Sequence, residues 1–220
     1  MIVRIFTRTL CSLFVLTLAS GTLLAQTFQL QKPRVAHTKP SPFVMPAEDP
    51  VPGLKIIYSN LGPTPTNNYN DTTGYYILGP SNSVGLPEQW IAFPFTAKAS
   101  SHVSRLSVAV GWISGTKSII VGLYSDNAGQ VGTALATATT THIPTDATCC
   151  GLATVNIAST AVTKGTQYWI VVTSDDTNAP DFTGVWQSSN NADTAGDVGL
   201  GGWFTFSNNW PAGSASGTIP

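Results

Sequence analysis

"SRLSVAVGWISGTKSIIVGLYSD", residues 104–126, decides the fold class. In its first half Leu106, Val108, Val110 and Trp112 alternate with Arg105, Ser107, Ala109 and Gly111. Successive side chains on a strand point to opposite faces, so a period of two marks a strand with one face buried. "SGT" at 114–116 reads as a turn. "KSIIVGLYSD" then sets Ile119, Val121 and Leu123 on one face and Ile120, Gly122 and Tyr124 on the other. "SDNAGQVG", which follows, is turn chemistry again.

The same grammar runs outward in both directions. "TALATATTT" is a strand of weak apolar character, and "GLATVNI" supplies Leu152, Val155 and Ile157. "TQYWIVVTS" is apolar on both faces, which predicts a central strand. "GVWQSS" and "WFTF" come later; "KIIYS", "GYYILG" and "QWIAFPF" come earlier. Pro94 lacks a backbone donor, which predicts an edge or a bulge for the last of these. No run of ten or more residues has a helical period with caps. About ten short strands between Gly, Asn, Asp and Pro turns predict an all-β fold, a single jelly-roll-like β-sandwich over residues 54–220.

The front of the chain reads as an address. "MIVRIFTR" carries Arg4 and Arg8, and the uncharged run to Ala25 ends on a small residue. That is the grammar of a secretory signal peptide, residues 1–25, cut before Gln26. A retained anchor is the competing reading, although the apolar run is barely the roughly 20 residues a span requires. Nothing after residue 30 is long and apolar enough for a second span. Residues 26–53 hold Pro33, Pro40, Pro42, Pro46, Pro50 and Pro52. Proline removes donors and favours extended chain, so this segment reads as a stiff linker.

Export also changes the cysteine arithmetic. Cys11 leaves with the signal, and the mature chain keeps Cys149 and Cys150, side by side in "TCCG". Exported thiols tend to pair, and within the chain each has only its neighbour. Consecutive Cα atoms lie about 3.8 Å apart, below the roughly 4.4–6.8 Å usual across a disulfide. A vicinal bond therefore closes a small twisted ring. It would staple the turn before "GLATVNI", or present a flat sulfur surface to a ligand. A bridge between two chains and free thiols are the other readings.

Charge excludes some partners. Charged residues make up 10% of the chain, against about 25% in an average soluble domain. From Gln26 onward eight Lys and Arg face eleven Asp and Glu, a net of −3. With no basic run, nucleic acid is a poor partner. Chemistry is equally sparse. The zinc-protease helix motif and the nucleophile-elbow motif are both missing, and the histidines, His37, His102 and His142, are scattered. The expectation is a protein that is not an enzyme.

"IYSNLG", "LYSDNAGQVGTALA", "TCCGL" and "VTKGTQYWIVV", in that order, resemble the choice-of-anchor domains of exported bacterial proteins, most closely type R. The resemblance runs over about residues 56 to 210. It implies a β-sandwich on or outside the cell, brings no catalytic residues, and often goes with a C-terminal sorting signal. "AGSASGTIP", up to Pro220, has neither an apolar span nor a basic tail, so release into the periplasm or medium is expected.

Two candidate sites stand out. "SDDTNAPD" gathers Asp175, Asp176, Asn178 and Asp181 directly after the predicted central strand, and "NNADTAGD" gathers Asn191, Asp193 and Asp197. Loop clusters of oxygen ligands suit a hard cation such as calcium, although Asp and Asn also form turns. Trp186, Trp203 and Trp210 lie among Gly, Asn and Ser, where exposed rings would stack on sugars. Trp112 and Trp169 read as core. The expected function is a structural or adhesive role at the cell envelope or extracellular matrix, with a cell-surface protein or polysaccharide as partner. The alternative is a carbohydrate-binding module.

Overall fold

A computed structural model describes residues 53–62, 69–146, 151–189, 196–198, 203–206 and 213–218, all within one unit of the chain, Pro33–Pro220. The predicted signal peptide, the predicted linker up to residue 52, Cys149, Cys150, Asn191, Asp193 and Trp210 lie outside the described residues.

The fold is all-β and sandwich-like. Its strands are β1 (Lys55–Ser59), β2 (Asn70–Leu78), β3 (Trp90–Thr96), β4 (Ser101–Val108), β5 (Val110–Ser114), β6 (Ile119–Asn127) and β7 (Gln130–Thr140), followed by β8 (Ala153–Val162), β9 (Gln167–Ser174), β10 (Thr183–Ser188), β11 (Gly196–Val198), β12 (Trp203–Phe206) and β13 (Gly213–Thr218). They form three sheets, in the orders β1-β13-β4-β8, β2-β10-β5 and β11-β12-β3-β9-β6-β7. All pairs are antiparallel except β12 with β3. No helix among the described residues is long and apolar enough to cross a membrane.

The alternation predicted for residues 104–112 is present but broken once. β4 ends at Val108 and β5 starts at Val110, and the Ala109 carbonyl between them accepts the Gln187 N–H at 2.8 Å. The two strands thus carry one line of chain from the four-stranded sheet into the three-stranded one. Leu106, Val108 and Val110 are buried as expected. Trp112 is only partly buried, packed on the edge of the core, with the Lys117 ammonium 5.5 Å from its ring centre.

The main core is shared by all three sheets. Val103 and Leu106 come from the first, Ile77 and Trp186 from the second, and Phe93, Val121, Leu123 and Ile170 from the third. Burying such side chains stabilises each by about 1.5–3 kcal/mol relative to exposure. β9 lies between β3 and β6, central as predicted. Its alternate residues go to different places: Tyr168, Ile170 and Val172 enter the main core, while Trp169 and Val171 join Ala92 in a second cluster. Period two places that cluster on the opposite face of the sheet.

One expectation needs correction. β3 is not an edge strand, because β12 and β9 flank it. Its last registered pair with β12 is Ala92 with Thr205, so Pro94 lies beyond that pairing and costs no ladder bond on that side. No strand is predicted in "AGSASGTIP". Within it Gly213–Thr218 is a strand, inserted between β1 and β4. A Cβ on Gly217 would collide with the His102 backbone carbonyl, so that position takes only glycine.

Candidate functional site

Three loops meet where β2, β9 and β5 end: residues 79–89, 114–118 and 175–182. They are joined by main-chain bonds. The Gly79 N–H reaches the Phe182 carbonyl at 3.0 Å, Thr116 N–H reaches Pro180 at 2.8 Å, and Asp181 N–H reaches Ser81 at 3.3 Å. The Thr116 hydroxyl donates to the Asn178 carbonyl at 2.7 Å. Asn82 organises the first loop: its amide donates to Gly79 and Leu86 carbonyls at 2.7 Å each, and its oxygen takes the Val84 and Leu86 N–H groups. Such side-chain turns suit Asn. Gly115 sits at φ 79°, where glycine is favoured, and a Cβ there would strike the Asp181 carbonyl.

The predicted cation quartet is not assembled as a set. Asp175 accepts the Ser118 hydroxyl at 2.7 Å. Asp181 is buried and accepts the Ser81 N–H at 2.6 Å. The Asn178 amide donates to its neighbour Thr177 at 3.0 Å. Among the described residues no three His, Cys, Asp or Glu side chains converge as metal ligands. Two of the four residues are therefore loop struts, and a third turns to its neighbour. Asp197 is placed in β11, away from that loop in sequence and paired with Thr205.

Asp176 differs from its neighbours, and it comes with a carboxylate that no feature of the sequence singles out, Glu88. Partial burial pushes the Glu88 carboxyl above its ordinary range. Asp176 and Asp181 push it the same way, against the opposing pull of the Trp90 indole. Asp176 stands at the rim, exposed, and is also pushed up. Desolvation leads, the Ser174 hydroxyl opposes, and Asp181 and Asp175 add to the rise. A like charge nearby disfavours ionisation. Glu88 left no motif in the sequence because it reaches this place through the fold. The isolated bridge Leu78–Gln89 brings it beside the end of β2.

Ser174 ends β9, two residues before Asp176. It is 3% exposed, and its hydroxyl makes no hydrogen bond of ordinary geometry, although it is close enough to Asp176 to lower that carboxyl. Gly79 sits against both groups. A Cβ there would come 2.6 Å from Ser174 Oγ and 3.0 Å from Asp181 Cγ.

The predicted tryptophan platform fares differently at each residue. Trp186 lies in β10 and is 0% exposed. Its ring meets Phe93 edge-on, centroids 5.4 Å apart and planes at 66°. It is core, not a surface for sugars, because β10 is interior to its sheet and "GVWQSS" is buried throughout. Trp203 is placed by its backbone, opposite Trp90.

Elsewhere the described carboxylates tie elements together. Asp146 accepts the Gln187 amide at 2.9 Å, and Asp126 accepts both the Gln167 amide and the Trp169 indole. His102 on β4 and His142 after β7 are both exposed. The site and fold define an all-β sandwich-like domain with an acidic loop end. Compared with known protein families, curated proteins and solved structures, the chain matches none.

Proposed function

We propose that this chain is an exported, non-catalytic β-sandwich with a structural or adhesive role at the cell envelope or in the extracellular matrix. One observation carries most of the weight. Asp126, Asp146, Asp175 and Asp181 are engaged in holding loops and strands together. Acid–base catalysis instead needs titratable groups that converge within hydrogen-bond reach of one reacting centre. The signal-like front, the low charge and the resemblance to choice-of-anchor domains point the same way. Cys149 and Cys150 fit an oxidising location as a vicinal pair.

The described residues on either side of Cys149 and Cys150 are held by the domain. Asp146 N–H donates to the Trp112 carbonyl at 2.8 Å, and the Gly151 carbonyl accepts the Tyr69 hydroxyl at 3.1 Å. That supports the staple reading, because the neighbours of the pair are anchored on both sides. The carbohydrate-binding reading loses Trp186 and now rests on Trp203 and Trp210.

The test is turnover. The exported chain, offered a broad panel of ester and glycoside substrates, is expected to release no product above the uncatalysed rate. Saturable turnover that survives repurification would overturn the proposal.

A further inference from the structure

We propose that copies of this chain associate head to tail, the basic end of one domain docking on the acidic loop end of the next. This goes beyond the structural role above and does not depend on it.

Charge is divided between two ends of the domain. From Leu54 onward the Lys and Arg residues are Lys55, Lys98, Arg105, Lys117 and Lys164. All but Lys117 gather on one side. Lys98 and Lys164 lie on the loops after β3 and β8, and those loops are bonded together. Gly165 N–H reaches the Ala97 carbonyl at 2.9 Å, Ala97 N–H reaches Thr166 at 3.1 Å, and Lys164 N–H reaches the Ser100 hydroxyl at 3.0 Å. Lys55 opens β1, and the register through Gly217 sets it level with Val103, beside His102. Arg105 follows on β4. Lys55, Lys98, His102 and Lys164 are exposed. The four strands of that sheet, β1, β13, β4 and β8, contain no Asp or Glu. Asp126 is brought to this end by Gln167, which opens β9, and it already accepts Gln167, Trp169 and the Gly129 N–H.

β9 links the two ends. It starts at Gln167, just after the Lys164 loop, and stops at Ser174, just before Asp175. At about 3.3 Å per residue its length is roughly 26 Å. The Debye length at physiological ionic strength is about 8 Å, so the two ends do not compensate each other within one molecule. At the far end Glu88, Asp175, Asp176 and Asp181 stand on loops 79–89 and 175–182, which main-chain bonds hold together. Asp175 and Asp181 accept Ser118 and Ser81 and keep their charge; Lys117 lies over the Trp112 ring. Opposite charges on opposite ends of one domain meet between copies. The occupant that fits the basic end is therefore a second copy of this chain. Such a contact is heterologous, and it repeats into a filament unless rotation closes a ring. Complementary charge fixes its orientation and partner.

Sedimentation velocity of the exported chain provides the test. The Debye length is about 30 Å at about 0.01 M salt and about 3 Å at about 1 M. The weight-average mass is expected to rise with protein concentration at the lower salt and to return to the monomer at the higher. Two folded double variants, Lys98→Glu with Lys164→Glu and Glu88→Gln with Asp176→Lys, should each raise the dissociation constant tenfold or more. Mixed in equal amounts they should associate again, since each keeps the unaltered end that fits the other's. A parent that stays monomeric at low salt would overturn the proposal, even if it binds an anionic polysaccharide instead. So would association that survives high salt, variants that associate as the parent does, or a mixture that stays apart.

Discussion

The Asp126 carboxylate accepts the indole N–H of Trp169 at 2.8 Å, with the Gln167 amide on the same oxygen at 2.7 Å. The contact joins the tip of the β6–β7 hairpin to the second apolar cluster, formed on the face of the six-stranded sheet away from the main core. The hairpin turn places Ala128 at φ 53° and Gly129 at φ 82°, the positive pair that a two-residue hairpin turn needs. The other Asp126 oxygen takes the Gly129 N–H at 3.1 Å.

Asp126→Ala should therefore cost more than a surface substitution. It leaves an indole and an amide without an acceptor and removes the turn's side-chain bond. The expected loss is about 1–3 kcal/mol, read by chemical denaturation with tryptophan fluorescence. A loss within error of zero would show that the bond to Trp169 contributes nothing.

Trp186→Ala should be among the most damaging single changes. The ring is fully buried, and its removal opens a large cavity beside Phe93. Truncating a buried tryptophan costs about 3–5 kcal/mol. Trp186→Phe keeps the aromatic contact and should recover much of the stability. Equal Tm values for the alanine variant and the parent would contradict the assignment of this ring to the core.

Acid should act on the two kinds of carboxylate in opposite directions. Glu88 and Asp176 are raised in the folded chain. The folded state then holds more protons than the unfolded state between the ordinary carboxylate values and the raised ones. Stability falls as pH rises through that window. Partial burial alone would raise Asp126, but the donors from Gly129, Trp169 and Gln167 outweigh it and hold the carboxyl below its ordinary value. Its contribution is present above the unfolded pKa and is lost as pH falls through the folded one. Tm against pH for the Glu88→Gln, Asp176→Asn double variant should lack part of the decline seen in the parent. Parallel curves would show that the pair does not titrate with folding.

Cys149 and Cys150 should leave the cell closed on each other. Intact mass of the unreduced exported chain is expected two hydrogens short of the dithiol, with no alkylation and no covalent dimer. Two alkylatable thiols would remove the staple.

The sequence made the fold class legible because period two is strong wherever one face meets the core. Ile119, Val121 and Leu123 alternate into that core as read. β13 was illegible for the opposite reason: Gly213, Ser214 and Ala215 are buried with almost no apolar contrast, so no periodicity marks them. Position along the chain also misled. Trp186 has polar neighbours in sequence, yet β10 lies between β2 and β5 and buries both of its faces. The loop acids were visible as a cluster, but composition does not say which oxygens the loop itself uses. Glu88 joins them only because β2 and β3 are brought together by the Leu78–Gln89 bridge.

The most direct test of the structural or adhesive role is co-sedimentation of the purified exported chain with isolated cell envelopes and extracellular matrix from the source organism. The account predicts saturable retention in the pellet that excess unlabelled chain competes away. A chain that stays wholly in the supernatant over the same concentration range would contradict it.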